Sequence, residues 1–176
     1  GGSLAERAPY GLPNVELSEH FRIAWGNSGG VTNGEIVNLV DALESAWTTY
    51  MDEMEHPRPW GTDTWYFNVF IGDSGNGAPD SYGAAGYYSG DPKGYPMLVV
   101  NAAVLDDASY TQITAAHELY HGVQGSLGTY DYQGASAWFW EATATWASAK
   151  VYPDNLAYAS FLFSYLMLPH YPVNFF

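Results

Sequence analysis

Two histidines four residues apart, at the ends of the segment His117–His121 (His-Glu-Leu-Tyr-His), constrain this chain more than any other feature. They lie in a stretch from Ser109 to about Gln124 that we predict to be helical, because Ser109 and Gln112 match a capping box. Side chains four residues apart share one face of a helix, so both imidazoles can reach one Zn²⁺ at about 2.0–2.1 Å. Three ionisable groups so close together in an otherwise apolar helix would be costly to bury unless they had a function such as metal binding.

Glu118 stands directly after the first histidine. It would point along the same cleft as the metal without binding it. A general base in that position can take a proton from a metal-activated water. We therefore predict His117 and His121 as metal ligands and Glu118 as the catalytic residue. The alternative is that one or both histidines are hydrogen-bonded within the protein core and bind no metal.

A catalytic zinc takes three protein ligands and keeps one open position. Glu141 is the only charged residue between Asp131 and Lys150, and it lies in an apolar stretch that we predict to form a helix over about 135–151. A lone carboxylate in such a helix is paired, bound to metal or directed to water. We predict Glu141 as the third ligand.

Asp131 is the alternative third ligand. Its segment 128–134 resembles the Gly-Thr-x-Asp loop of aspzincin peptidases, but Gln133 stands where that family has tyrosine. We prefer to interpret Asp131 as an ordinary turn aspartate, because glycine and threonine are common turn residues. The metzincin family is excluded, because it needs glycine and histidine where this chain has Gln124 and Leu127.

Runs of β-branched and aromatic residues predict strands at 20–25, 65–71 and 97–102, with 65–71 as a central strand. A Gly-rich segment, 72–94, lies between the second and third runs. Its short piece 83–88 fits either a sheet edge or a flexible loop.

Helical patterns account for much of the remaining chain. Thr32 and Glu35 form a capping-box signal, followed by apolar residues at steps of three and four. A further helix is predicted over 155–168, after the one at 135–151. Strands early and helices late indicate an α+β fold, which we expect to form a single domain over residues 1–176.

The net charge of −14, with only five Lys plus Arg, argues against a nucleic-acid partner, because phosphate binding needs a basic surface. No apolar stretch approaches the length of a membrane span. The absence of cysteine is compatible with an exported protein that has no disulfides, and we expect a secreted protein. The start at Gly1 suggests either a trimmed mature chain or a remnant of expression, and the apolar end at Phe176 suggests that more protein follows.

An oxygen-rich stretch contains Asp73, Asn76 and Asp80. These side chains could bind Ca²⁺. Their spacing is not that of an EF-hand, and a turn is the simpler interpretation.

Residues 117–124 and 138–144 together resemble the secreted bacterial gluzincin metallopeptidases, in which an HExxHxxQ helix precedes a helix that carries a glutamate. The spacing of His117, His121 and Glu141 is also similar to that of thermolysin. The resemblance covers about 117–146. It implies a zincin fold, with a twisted mixed sheet over an active-site helix and a glutamate helix behind it. It also implies peptide-bond hydrolysis.

Two positions depart from the thermolysin pattern. Thr145 stands where such enzymes carry an acidic residue that orients a ligand histidine, so that support would be weaker or come from elsewhere. No residue can be matched to the donor that stabilises the transition state. The candidates are Tyr152, Tyr158, Tyr165 and His170.

The metal-binding pattern predicts Glu118 as the general base of a zinc-dependent hydrolase, and the resemblance to gluzincins implies an endopeptidase with a peptide or protein as substrate. The substrate would lie extended along an edge strand near 83–88, where glycine lets backbones approach closely. Three alternatives stay open: a zinc-binding interaction module with an inactive site, an aspzincin-type peptidase that uses Asp131, and a hydrolase of non-peptide substrates.

Overall fold

The computed structural model describes residues 4–128, 136–157 and 159. The described part contains a mixed five-stranded sheet and three α-helices, which confirms the predicted α+β class. In chain order the elements are β1 Asn14–Leu17, β2 Phe21–Trp25, α1 Asn33–Trp47, β3 Phe67–Gly72, β4 Gly86–Gly90, β5 Pro96–Asn101, α2 Ala108–Leu127 and α3 Ala137–Val151.

The sheet has the strand order β1-β2-β3-β5-β4. The three inner strands β2, β3 and β5 are parallel, and the edge strands β1 and β4 run antiparallel to their neighbours. The predicted strands at 20–25, 65–71 and 97–102 are confirmed, and β3 is central as expected. The short piece within the Gly-rich segment forms β4 at the sheet edge, and β1 was not predicted.

The two faces of the sheet are covered differently. Because side chains alternate along a strand, Ile23, Val69 and Leu98 point to one face and join the main core with all three helices. Residues Phe70 and Val99 point to the other face, where the N-terminal segment around Leu12 covers them. The helices therefore form a layer on one side of the sheet, and any site between helices and sheet edge lies in that layer.

Helix α1 begins with the predicted capping box. The Thr32 hydroxyl accepts from the Glu35 backbone N–H at 3.3 Å, and the Glu35 carboxylate accepts from the Thr32 backbone N–H at 2.6 Å. The helix continues into a π-helical segment, Thr48–Glu53. Directly after it, the Met54 N–H donates to the Thr49 carbonyl. Such segments keep the chain helical while they shift its register.

Helix α2 begins two residues earlier than predicted. Its N-cap is Asp107, whose carboxylate accepts from Tyr110 N–H at 3.1 Å, so the predicted cap at Ser109 is wrong. Both residue types cap helices well, and here Asp107 is the extended residue that directly precedes the helix, after the short 3₁₀ segment Ala102–Val104. At the other end Gly128 adopts φ 61°, a left-handed conformation that favours glycine and ends the helix.

Within the residues described, no helix combines the length and the apolar character needed to cross a membrane. Residues 155–157 are not helical, and most of the helix predicted over 155–168 lies outside the described residues. The same holds for Asp131, Tyr158, Tyr165 and His170.

Candidate metal centre

Helix α2 carries His117 and His121 one turn apart, and α3 brings Glu141 to the same point. The Nε2 atoms of the two histidines are 3.1 Å apart. A Glu141 carboxylate oxygen lies 3.0 Å from His117 Nε2, and the other lies 3.7 Å from His121 Nε2. Among the described residues, these three form the one group of His, Cys, Asp or Glu side chains able to hold a metal.

The separations of the ligand atoms test whether zinc would fit. A tetrahedral ion with bonds of 2.0–2.1 Å holds its ligand atoms about 3.3–3.4 Å apart. The separations are 3.0 Å from His117 Nε2 to Glu141 Oε2, 3.1 Å between the two Nε2 atoms, and 3.7 Å from His121 Nε2 to Glu141 Oε1, and they bracket that value. Two imidazoles and a carboxylate are also a donor set that Zn²⁺ takes in catalytic sites. The residues present therefore fit a zinc ion.

Close packing of α3 on α2 positions Glu141. Three of the four buried residues of α3 are small, namely Ala144, Ala147 and Ser148, and the fourth is Trp140. Small residues let backbones approach, which places a short glutamate side chain within reach of both rings.

Glu141 closes the group from the solvent side. Its side chain keeps 62% of its surface exposed, whereas His121 is almost fully buried. The hydrogen bond with His117 lowers the pKa of Glu141, with a further contribution from the charge of His121. Burial lowers the pKa of His121 to about 4. At neutral pH the group therefore presents a carboxylate and a neutral imidazole, which are the protonation states that bind metal.

The second nitrogen of each histidine also has a partner. Nδ1 of His121 lies 2.6 Å from Gln124 Oε1. Nδ1 of His117 lies 3.4 Å from the hydroxyl of Thr145, the position at which the thermolysin pattern has an acidic residue. The contact at Thr145 is long and uncharged, so the better-supported ring is that of His121.

Glu118 is 9% exposed and lies against the edge strand β4. Burial raises its pKa to about 7, while the charge of His117 and a hydrogen bond from the Tyr88 backbone N–H act in the opposite direction. Its position depends on Gly86. A Cβ there would lie 3.1 Å from Glu118 Cγ and 3.0 Å from Thr114 Cγ2.

Two cavities meet at Glu118 and Glu141. One, of about 330 Å³, extends along α2 and is mainly apolar, with Ile113 and Tyr110 in its wall. The other, of about 500 Å³, is bounded on one side by all of β4 and on the other by His121 and Trp140. A molecule that follows β4 would therefore pass the histidines and reach both cavities.

Other predicted site residues lie elsewhere. Tyr152 donates its hydroxyl to the Ala42 carbonyl of α1 at 3.3 Å and lines neither cavity. The Asp73 carboxylate accepts from Ser81, and that of Asp80 accepts from Tyr82 N–H at 2.6 Å, as turn residues do. The structure thus gives Tyr152 a packing contact with α1, and it uses both aspartates to stabilise the loop.

Sequence reasoning assigned no role to two residues of the site. The ring of Trp140 stacks on His121, with centroids 4.9 Å apart and planes 6° apart. Gln124 joins His121 to α3. The contact between Gln124 and His121 could have been predicted, because residues three apart meet on a helix surface. The contact between Trp140 and His121 could not, because it depends on how α3 packs.

Comparison with known protein families identifies a family for this chain. Residues 6–173 match the model of a family of unknown function, DUF6055. No curated protein and no solved structure matches the chain. Since the match covers almost the whole sequence, the chain belongs to the DUF6055 family.

Proposed function

We propose that this protein is a zinc-dependent peptidase with His117, His121 and Glu141 as metal ligands and Glu118 as general base. One observation carries the proposal. Three potential ligand atoms from two helices lie within 4.8 Å of one another, and a buried carboxylate stands next to the first of them in sequence. Metal sites and their general bases are arranged in this way in metal-assisted hydrolases.

The arrangement of elements supports a zincin-like fold. Helix α2 lies under the β4–β5 side of the sheet, with α3 packed beside it. This is the order that the gluzincin resemblance implies: a mixed sheet, an active-site helix and a glutamate helix behind it. The meeting of Glu141 with both histidines also favours glutamate as third ligand over Asp131, which lies outside the described residues.

When bound, Zn²⁺ acidifies water and polarises a carbonyl oxygen. The chain's own residues transfer the proton, orient the base and exclude water. Glu118 accepts a proton from the attacking water, since its carboxylate borders the space on which both cavities open. It then passes that proton to the leaving amine. The Tyr88 backbone N–H orients the carboxylate, and apolar residues such as Ile113 keep competing water away.

An extended peptide fits the second cavity as an additional strand. Among the residues that the structure describes, β4 pairs with β5 alone, and its other side borders the cavity. A substrate backbone can therefore hydrogen-bond to β4 in the way that peptides bind at exposed sheet edges. The glycines at both ends of β4 allow close approach.

Zinc content and hydrolysis of a quenched-fluorescence peptide library, measured on the same preparation, test the proposal. We expect one zinc per chain, peptide cleavage, and loss of cleavage with 1,10-phenanthroline that added zinc restores. Zinc at one per chain without cleavage would indicate a binding module with an inactive site. A chain that retains no zinc at neutral pH would overturn the proposal.

A further inference from the structure

The buried side chain of Gln124 connects the two helices of the site. It is 2% exposed, and both ends of its amide are used. We propose that Gln124 is a positioning residue: it holds the His121 ring with hydrogen on Nδ1 and with Nε2 free, and it fixes α3 beside Glu141. The inference rests on the proposed function, because His121 is a ligand of the proposed metal centre.

The orientation of the Gln124 amide follows from its partners. Its nitrogen lies 2.9 Å from the Trp140 carbonyl oxygen, which can only accept a hydrogen bond. The amide NH₂ must therefore face α3. It also donates to the Thr143 hydroxyl at 2.6 Å, and that hydroxyl donates its own hydrogen to the Phe139 carbonyl at 2.7 Å. The donors and acceptors in this chain of hydrogen bonds are therefore consistent with one orientation of the Gln124 amide.

The remaining end of the amide decides the state of His121. Oε1 of Gln124, 2.6 Å from Nδ1, can only accept, so Nδ1 carries the hydrogen. A neutral imidazole has one ring hydrogen, and Nε2 is then left with a free lone pair. Nε2 is also the atom that faces His117 and Glu141. Gln124 thus selects the tautomer in which the correct nitrogen can bind a metal.

The same side chain acts on the third ligand. The acceptors Trp140 and Thr143 lie one residue before and two residues after Glu141. The Trp140 ring also lies flat against the His121 ring. Gln124 therefore fixes the register of α3 against α2 at the point where the ligands meet. Outer groups of this kind typically change metal affinity by about 10- to 100-fold when removed.

The test begins with the metal-free, wild-type protein. Long-range ¹H–¹⁵N NMR correlations distinguish the two neutral tautomers of a histidine, and we expect His121 to carry its hydrogen on Nδ1. In Gln124→Met, which keeps the length of the side chain but none of its hydrogen bonds, we expect mixed tautomers and a zinc Kd about 10- to 100-fold higher. In Gln124→Glu, an acceptor still faces Nδ1, so the tautomer should be rescued.

Ser126→Ala is the matched control, because Ser126 lies on the same helix and donates to the Gly122 carbonyl of its own turn. It should keep both the tautomer and the zinc affinity. A wild-type His121 with hydrogen on Nε2 would overturn the inference, and so would a folded Gln124→Met protein with unchanged tautomer and affinity. If Gln124→Met does not fold, the wild-type and Gln124→Glu spectra decide.

The two proposals fail in different ways. A wild-type protein with the expected tautomer that binds no zinc would remove the proposed function and leave the role of Gln124 in place. Zinc binding and peptide cleavage that Gln124→Met leaves unchanged would remove the role of Gln124 and leave the function in place.

Discussion

Nε2 of His117 in α2 lies 3.0 Å from Oε2 of Glu141 in α3, although 24 positions separate the two residues in sequence. The contact brings a carboxylate from one helix to an imidazole of another at the distance that ligands of a shared metal ion adopt. It is the relationship on which the proposed metal centre depends. Five measurements follow from it and from the fold around it.

Removal of one ligand should abolish stabilisation by zinc. An ion that binds only the folded state, at a free concentration of 100 times its Kd, raises the free energy of unfolding by about 2.7 kcal/mol. We expect that increase in the wild type and its loss in Glu141→Gln, measured by urea unfolding with and without zinc. His20→Gln is the control, because His20 bonds Glu44 outside the group. If Glu141→Gln keeps the full zinc effect, Glu141 is not a ligand.

Loss of the general base should separate metal binding from catalysis. We expect Glu118→Gln to keep its zinc and to lose about 10²- to 10⁴-fold in kcat, the usual contribution of a positioned base. Zinc content and peptide turnover are measured on the same sample. Glu53→Gln, at an exposed position on the π-helical segment, serves as the control. Undiminished turnover by Glu118→Gln would remove Glu118 from the mechanism.

Crowding at the start of β4 should displace Glu118. In Gly86→Ala the new Cβ meets Glu118 Cγ at 3.1 Å and the Val99 carbonyl oxygen at 3.1 Å, and the backbone atom cannot yield easily. Since misplacement by 1 Å can cost about 10²-fold in rate, we expect turnover to fall about 10- to 100-fold while zinc stays bound.

Gly90→Ala is the matched control for that change. Gly90 lies at the other end of β4, and the nearest atom to a Cβ there is 3.6 Å away, an ordinary contact. Peptide turnover should therefore be much slower in Gly86→Ala than in Gly90→Ala. Equal rates would show that the space around Gly86 does not position Glu118.

Removal of the α1 cap should destabilise the fold. Thr32→Ala loses the hydroxyl that accepts from Glu35 N–H, and an N-cap of this kind contributes about 1 kcal/mol. Urea unfolding should show this decrease with an unchanged m-value. Thr48→Ala, at an exposed position of the same helical run, should change stability far less. A Thr32→Ala protein as stable as the wild type would contradict the role of the cap.

The same cap should make stability depend on pH. The hydrogen bond from the Thr32 backbone N–H lowers the pKa of Glu35 below its ordinary value of 4.5. A carboxyl with a lowered pKa in the folded state stabilises the protein above its unfolded-state pKa, and that contribution is lost as the pH falls through the folded-state value. The stability difference between wild type and Glu35→Gln should therefore shrink below about pH 4.5. A difference that stays constant from pH 7 to pH 3 would contradict this assignment.

Local patterns were sufficient for much of the fold. The central strand β3 and the cap of α1 could be predicted, because a buried strand and a capping box are recognisable within a few residues. The start of α2 could not, since Asp107 and Ser109 are both good caps and only the path of the preceding turn selects Asp107. Strand β1 was missed because its four residues are mostly exposed and carry no buried alternation.

By itself, the sequence determined that His117 and His121 share one face of a helix with Glu118 beside them, because helical geometry places residues four apart one above the other. It also marked Glu141 as a carboxylate that needs a partner in an apolar helix. Only the tertiary structure decided that Glu141 meets both rings, that Gln124 joins the two helices and that β4 borders the cavity. Those contacts depend on how separate elements pack, and packing is set by the shapes of many side chains at once rather than by spacing along one segment.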